Sequence, residues 1–265
     1  MDIQHRQASS ILSKATGFIG SYDYTLNPYS GCAFGCAYCY AAFFARTTAE
    51  QETWGQWVLV KDNALELLRK KRKRPLLEQT LYMSSVTDPY QPIERKLELT
   101  RALLGELLDY HRVRLVVQTR SPLVMRDIDL LKQFAFVRVN MTVTTDDEDV
   151  RKAFEPTCPP NARRLEAIAA VSAAGIPTAI TMTPLLPVGN PEAFARALLA
   201  TGAQKFVVQD FHVTKTRFVA GTGGPALKLA QQMGWNDGQY QRVKSILRAA
   251  LPNLYEGQAG FLPEW

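Results

Sequence analysis

Short apolar runs bounded by turn residues recur along this chain. Between them lie stretches whose apolar residues return every three or four positions. Leu81-Tyr-Met83, Arg114-Leu-Val-Val-Gln118, Phe136 to Thr144, Thr178 to Thr183 and Lys205 to Asp210 are of the first kind and predict buried strands. Of the second kind is Ile93 to Tyr110, where Leu103, Leu104, Leu107 and Leu108 share one helical face. Asp127 to Phe134, Asn161 to Ala174 and Pro191 to Ala200 predict further helices; Gly175 closes one and Pro191 opens another. Asn63 to Lys73 reads as an earlier helix and Ala226 to Ala250 as one or two late ones. With a first strand at about Tyr22 to Leu26, six strand–helix units fit in the chain. Strands alternating with helices imply an α/β fold, a parallel sheet with right-handed crossovers.

Composition narrows the class. At 265 residues, with 46% apolar and 21% charged side chains, the chain is long enough to bury a full core as one domain spanning 1–265. No repeat, low-complexity stretch or long linker divides it. The expected core runs from about 20 to 212, with a helical extension over 213–265; the first 15 residues and the tail after Ala220 read as caps. No apolar run approaches the roughly 20 residues that cross a bilayer, and the N-terminus has no apolar export segment. The net charge of +6 permits an anionic partner without requiring one. The densest basic run, Arg69 to Arg74, ends the helix expected at Asn63 to Lys73. It reads as a solvated helix end facing the negative pole of the dipole, with a phosphate or acidic-peptide patch as the sharper alternative.

The cysteines change the picture most. Three of the four fall in Asn27-Pro-Tyr-Ser-Gly-Cys-Ala-Phe-Gly-Cys-Ala-Tyr-Cys-Tyr40. Cys32, Cys36 and Cys39 are too few for a structural zinc site, which takes four ligands. They suit a cubane iron–sulfur cluster with one iron free of protein ligation. Gly31 and Gly35 let a short loop wrap a compact object, because glycine takes positive φ without steric cost. Clustered thiols and the absence of a disulfide framework predict a reducing, cytoplasmic setting. A zinc or non-catalytic iron–sulfur binding module stays open as the alternative.

At these residues the chain resembles the radical S-adenosylmethionine (SAM) superfamily, whose signature is three cysteines in this spacing with an aromatic, here Tyr38, before the last. The resemblance implies a partial (β/α)6 barrel with the cysteine loop after the first strand. It implies a [4Fe-4S] cluster on Cys32, Cys36 and Cys39, with SAM on the open iron. It also implies reductive cleavage to a 5′-deoxyadenosyl radical, with flavodoxin or ferredoxin as electron donor. In such barrels the chemistry sits at the carboxyl ends of the strands. The cofactor-binding candidates are therefore Tyr38 and Tyr40 for the adenine, Ser84, Ser85 and Asp88 for the SAM amino group, and Arg120 with Ser121, Thr142, Thr144 and Thr183 for the carboxylate and ribose. Ser85, Arg120 and Thr142 lead that group.

Asn27-Pro-Tyr-Ser-Gly-Cys, Ser85-Val-Thr-Asp-Pro-Tyr-Gln-Pro-Ile-Glu94, Thr119-Arg-Ser-Pro-Leu-Val-Met-Arg-Asp127 and Phe154-Glu-Pro156 resemble the spore photoproduct lyase-like branch. Its founding activity splits a thymine dimer in DNA and returns hydrogen from a cysteine just past the second strand. Here that stretch is Tyr82-Met-Ser-Ser85, with no cysteine. Tyr82, Tyr90 and Cys158 are the remaining candidate hydrogen donors; Cys158 reads first as a loop thiol, with hydrogen donation as the sharper alternative. No helix-turn-helix, zinc-finger or RNA-binding signature is present. The branch also includes peptide spliceases, which act on ribosomally made precursor peptides with a separate recognition protein. A peptide substrate is the expected one, and DNA pyrimidine lesions are the alternative.

Overall fold

A computed structural model describes residues 1–211 and 224–264. Among the described residues the strands are, in chain order, β1 Asp2–Arg6, β2 Leu12–Lys14, β3 Tyr24–Leu26, β4 Tyr29–Gly31, β5 Trp57–Lys61, β6 Leu77–Met83, β7 Arg112–Thr119, β8 Phe136–Thr142, β9 Thr178–Met182, β10 Lys205–Val208 and β11 Leu254–Glu256. The larger sheet runs β11-β10-β9-β8-β7-β6-β3-β2. Six of its strands, β3 and β6 to β10, are the expected parallel set; β11 extends it in parallel and β2 closes the other edge antiparallel. This is the partial barrel that the six-unit pattern and the family resemblance led us to expect. The expected boundary near residues 212–213 lies outside the described residues.

Alternation along the strands sorts side chains between two environments. Leu81, Met83, Leu115, Val117, Val139, Met141, Ile180 and Met182 join the main core beneath the outer helices. Tyr82, Val116 and Val207 face the other way and pack with Tyr22 and Phe261. The turn at Gly257–Phe261 closes this second cluster. Gly260 lets it approach, because a Cβ there would lie 2.3 Å from Val207 Cγ1. The interior turns polar toward the strand ends, where Gln118 Nε2 donates to Thr142 and Thr181 at 2.8 and 3.0 Å.

Two helices differ from their expected bounds. The long helix expected at Ile93 to Tyr110 is two helices, Glu94–Leu97 and Leu99–Tyr110, broken at Glu98 with φ of 49°. Buried Glu94 sets the break: its carboxylate accepts the Thr100 amide at 2.9 Å and Arg126 at 2.7 Å, and takes the Tyr29 hydroxyl. Asp127 to Phe134 is helical only over Ile128–Leu131, after a tight turn at Pro122–Asp127. The basic run is exposed at the end of its helix, as expected, and two of its arginines also find partners: Arg69 and Arg72 pair with Glu106 at 3.7 and 2.6 Å, and Arg72 lies 3.4 Å from the Tyr110 ring centre.

A second, three-stranded sheet, β1-β5-β4, was not anticipated. Its middle strand, Trp57-Val-Leu-Val-Lys61, pairs antiparallel with β4 immediately before the cysteines. This sheet fixes the approach to the cysteine loop.

Candidate active site

The cysteine loop begins where β4 ends. Gly31 and Gly35 have φ of 73° and 54°, as the sequence suggested. A Cβ on Gly31 would meet the Trp57 ring at 2.6 Å, so no larger residue fits there. Gly35 rests on Gly55, itself at φ of 95°, and a Cβ on Gly55 would come within 2.6 Å of the Gly35 Cα. Two bare backbones in contact set the curvature of the loop.

A segment from far along the chain clamps this loop. The Phe154 carbonyl accepts the Ala37 amide at 2.8 Å, and Thr157 donates to the Ala33 and Phe34 carbonyls at 2.7 Å each. From another side, Gln91 accepts the Ala33 amide at 2.9 Å. Between clamp and loop lies Glu155, wholly buried. It accepts from Arg164 at 2.5 Å, Arg120 at 3.1 Å, Thr144 at 2.9 Å and the Tyr38 hydroxyl. Burial alone would push this carboxyl up, but the charges of Arg164 and Arg120 override it and hold the pKa at about 2. Arg120 also donates to Tyr38 Oη at 2.8 Å and to Cys36 Sγ at 3.0 Å.

Cys32, Cys36 and Cys39 line one cavity of about 490 Å³ at the carboxyl ends of the strands, a size suited to a small-molecule cofactor. Among the described residues no three His, Cys, Asp or Glu side chains converge on one point as a mononuclear metal requires. In a cubane each thiolate ligates a different iron, so three thiols lining one cavity suit that group. The thiols are not equivalent. Burial raises Cys32 and pushes Cys39 up to about 12. The contact with the Cys158 thiol lowers Cys36, and the Arg120 charge adds to this.

Of the residues singled out in the sequence, Tyr38, Tyr40, Ser84, Ser85, Asp88, Arg120, Thr142 and Thr183 line this cavity. Ser84, at φ of 70° and buried, has a hydroxyl with no protein partner. It is a polar group left over in the wall beside the thiols. Several neighbours are engaged by the protein itself. Tyr40 donates to the Ser85 carbonyl, and Asp88 accepts from the Thr119 hydroxyl and the Arg120 and Tyr90 amides at 2.7, 2.9 and 2.9 Å.

Four candidates do not line the cavity. Thr144 lies behind it on Glu155. Ser121 caps the turn at Pro122–Asp127. Tyr90 and Ser121 line a separate cavity together with Cys158. The Cys158 sulfur stands behind the loop, 3.6 Å from Cys36 Sγ. Of the three hydrogen-donor candidates only Tyr82 lines the main cavity, where its hydroxyl donates to Gln118 at 2.8 Å. Asn27, in the motif that leads into the cysteines, is a functional residue the sequence alone does not mark. Its side-chain oxygen accepts the Ser85 and Val86 amides at 3.0 and 3.3 Å, latching the first strand end to the second.

A parallel partial barrel with three cysteines on the loop after its first strand defines a class of cofactor-dependent radical enzymes. The chain belongs to the Radical SAM superfamily, whose profile matches residues 26–199; a [4Fe-4S] cluster and SAM are its cofactors. An uncharacterized protein of Methanocaldococcus jannaschii is 36% identical over 164 residues, covering 62% of this chain and 61% of that protein. An uncharacterized protein of the Acidianus two-tailed virus is 30% identical over 175 residues, covering 63% and 57%. The aligned part thus spans less than two thirds of these relatives. Among solved structures, spore photoproduct lyase complexed with dinucleoside spore photoproduct superposes with a TM-score of 0.61 at 15% identity, over 96% of this chain and 81% of that one. Streptococcus suis SuiB bound to its precursor peptide SuiA gives 0.54 at 13% identity, over 88% and 48%. At such identities the likeness is one of fold.

Proposed function

We propose that this chain cleaves SAM reductively at a cluster held by Cys32, Cys36 and Cys39 and uses the resulting radical to abstract hydrogen from a peptide. The observation that carries the reading is the three thiols lining the strand-end cavity beside the unpartnered Ser84 hydroxyl. The cluster would supply one electron to the SAM sulfonium. The chain itself binds and orients. Ser84, Ser85 and Thr142 present hydroxyls for the polar groups of SAM, with Tyr40 and Thr183 on the same wall. Asp88 and Asn27 hold the two loop backbones in place. Phe18, Ile19, Trp54 and Phe261 supply an apolar lining that excludes water and stray hydrogen donors. Tyr82 takes the part of hydrogen donor.

The rim favours a peptide over a polyanion. Among the described residues, the only Lys or Arg side chains lining the cavity are Lys14 and Arg120, and Arg120 is engaged by Glu155. A duplex, held mainly through its phosphates, needs several cations. A DNA lesion remains the second reading, supported by the exposed Tyr40–Phe44 aromatic pair at the mouth, which suits a base. A separate peptide-recognition protein and a flavodoxin- or ferredoxin-type donor complete the proposal. Among the described residues no helix is long and apolar enough to cross a membrane.

The test uses reduced, cluster-loaded protein with SAM and deuterated candidates, a peptide set and a thymine-dimer dinucleotide. Deuterium appearing in 5′-deoxyadenosine from a peptide supports the proposal. Transfer from the dinucleotide alone replaces it with the DNA reading, and no SAM cleavage on reduction overturns both.

A further inference from the structure

Cys36 differs from its two partners in what surrounds its sulfur. The Arg120 guanidinium reaches Sγ at 3.0 Å, and the Cys158 thiol stands 3.6 Å from it. Both are held rigidly. Arg120 is fixed by Glu155 and Tyr38. Cys158 is buried, and its carbonyl accepts Arg151 at 2.9 Å. Two guanidinium groups, Arg120 and Arg164, share the single carboxylate of Glu155. Asp88 accepts the backbone amide of Arg120, so the guanidinium keeps its donors for Glu155, Tyr38 and Cys36. The Arg120 guanidinium is thus a charged donor bonded directly to the Cys36 sulfur.

Hydrogen bonds and positive charge at a cluster sulfur stabilise the state with the extra electron. We propose that Arg120, anchored by Glu155, with Cys158 as a weaker second donor, raises the reduction potential of the cluster through the Cys36 sulfur. This rests on the cluster assignment above. Arg120 and Cys158 are positioning residues in this role. Arg120 is then committed to the cluster ligand, in place of the SAM carboxylate partnership expected from the sequence. Cys158 acts on electron supply and not as a hydrogen donor to substrate.

The experiment is anaerobic potentiometry, read by electron paramagnetic resonance, on reconstituted wild type, Arg120→Met, Arg120→Lys, Cys158→Ala and Cys158→Ser. Iron and sulfide per chain are measured alongside. Arg120→Met is expected to shift the midpoint to more negative potential, and Arg120→Lys to recover part of the shift. Cys158→Ala should give a smaller shift in the same direction, and Cys158→Ser, which keeps a donor, less than that. Arg163→Gln, which removes an exposed cation paired with Glu166, should leave the potential at the wild-type value. Should Arg120→Met fail to take up a cluster, the lysine and Cys158 variants carry the test. A wild-type potential retained by every loaded Arg120 and Cys158 variant overturns this proposal alone. A wild-type chain that takes up no iron–sulfur cluster overturns the function reading together with it.

Discussion

Replacing Glu155 with leucine removes the one carboxylate between Arg120 and Arg164. It strands the Arg164 guanidinium, whose side chain is fully buried, and takes the acceptor from Tyr38 and Thr144. Breaking a buried ion pair by deleting one partner costs about 3–5 kcal/mol. Linkage gives a second route to the magnitude. The carboxyl sits at about 2 against an ordinary 4.5, which at 1.36 kcal/mol per pH unit corresponds to about 3 kcal/mol. The sign follows from the depressed value. The contribution is complete above about 4.5 and is lost as pH falls from there toward about 2. Urea unfolding of wild type and Glu155→Leu at pH 7, run anaerobically, should differ by about 3–5 kcal/mol. The gap should narrow as the pH is lowered through about 4. A loss below about 1 kcal/mol at pH 7, or a gap unchanged by acid, would refute the view of Glu155 as an ionised keystone.

Other consequences are equally direct. Gly55→Ala should cost at least about 1–2 kcal/mol from its positive φ alone and lower the iron bound per chain. Gly105→Ala, with nothing within 4 Å of the new Cβ, should stabilise the protein by roughly 0.5–1 kcal/mol; equal behaviour of the two variants in thermal melts would contradict the Gly35–Gly55 contact. Tyr82→Phe should leave SAM cleavage without substrate intact while lowering product formation; unchanged turnover removes Tyr82 as donor. His111 is buried, accepts the Leu76 amide at 3.1 Å and is held below its usual pKa by burial. Stability should therefore fall as pH drops below about 6.5, and His111→Gln should flatten that dependence in urea midpoints.

The six parallel strands were legible because each is a compact apolar run and the intervening helices carry their apolar residues at helical spacing. The cysteine loop was legible because its spacing and glycines follow from what it must surround. The strand Asp2–Arg6 was not, since every residue in it is exposed and no pattern of burial marks it. The break at Glu98 was hidden because a tertiary acceptor, Glu94, decides it. Most instructive is Phe154-Glu-Pro156, a motif to which the sequence alone attaches no role. Its carboxylate acquires meaning from arginines 35 and 9 residues away, and no local rule connects them. The same holds for Tyr38: the spacing marked an aromatic beside the last cysteine, but its hydroxyl partner lies 117 residues on.

The clamp on the cysteine loop also has a consequence in time. Thr157 holds Ala33 and Phe34 across 124 and 123 residues of chain. At about 5–20 residues per second of synthesis, the three thiols exist for roughly 6–25 seconds before the segment that shapes their loop has been made. Chains stalled on the ribosome before Phe154 should hold no cluster iron, whereas chains stalled well past Cys158 should be able to. The cofactor is then loaded into a barrel already past its fourth parallel strand, and the window in which bare cysteines meet the cell is set by the distance along the chain to their clamp.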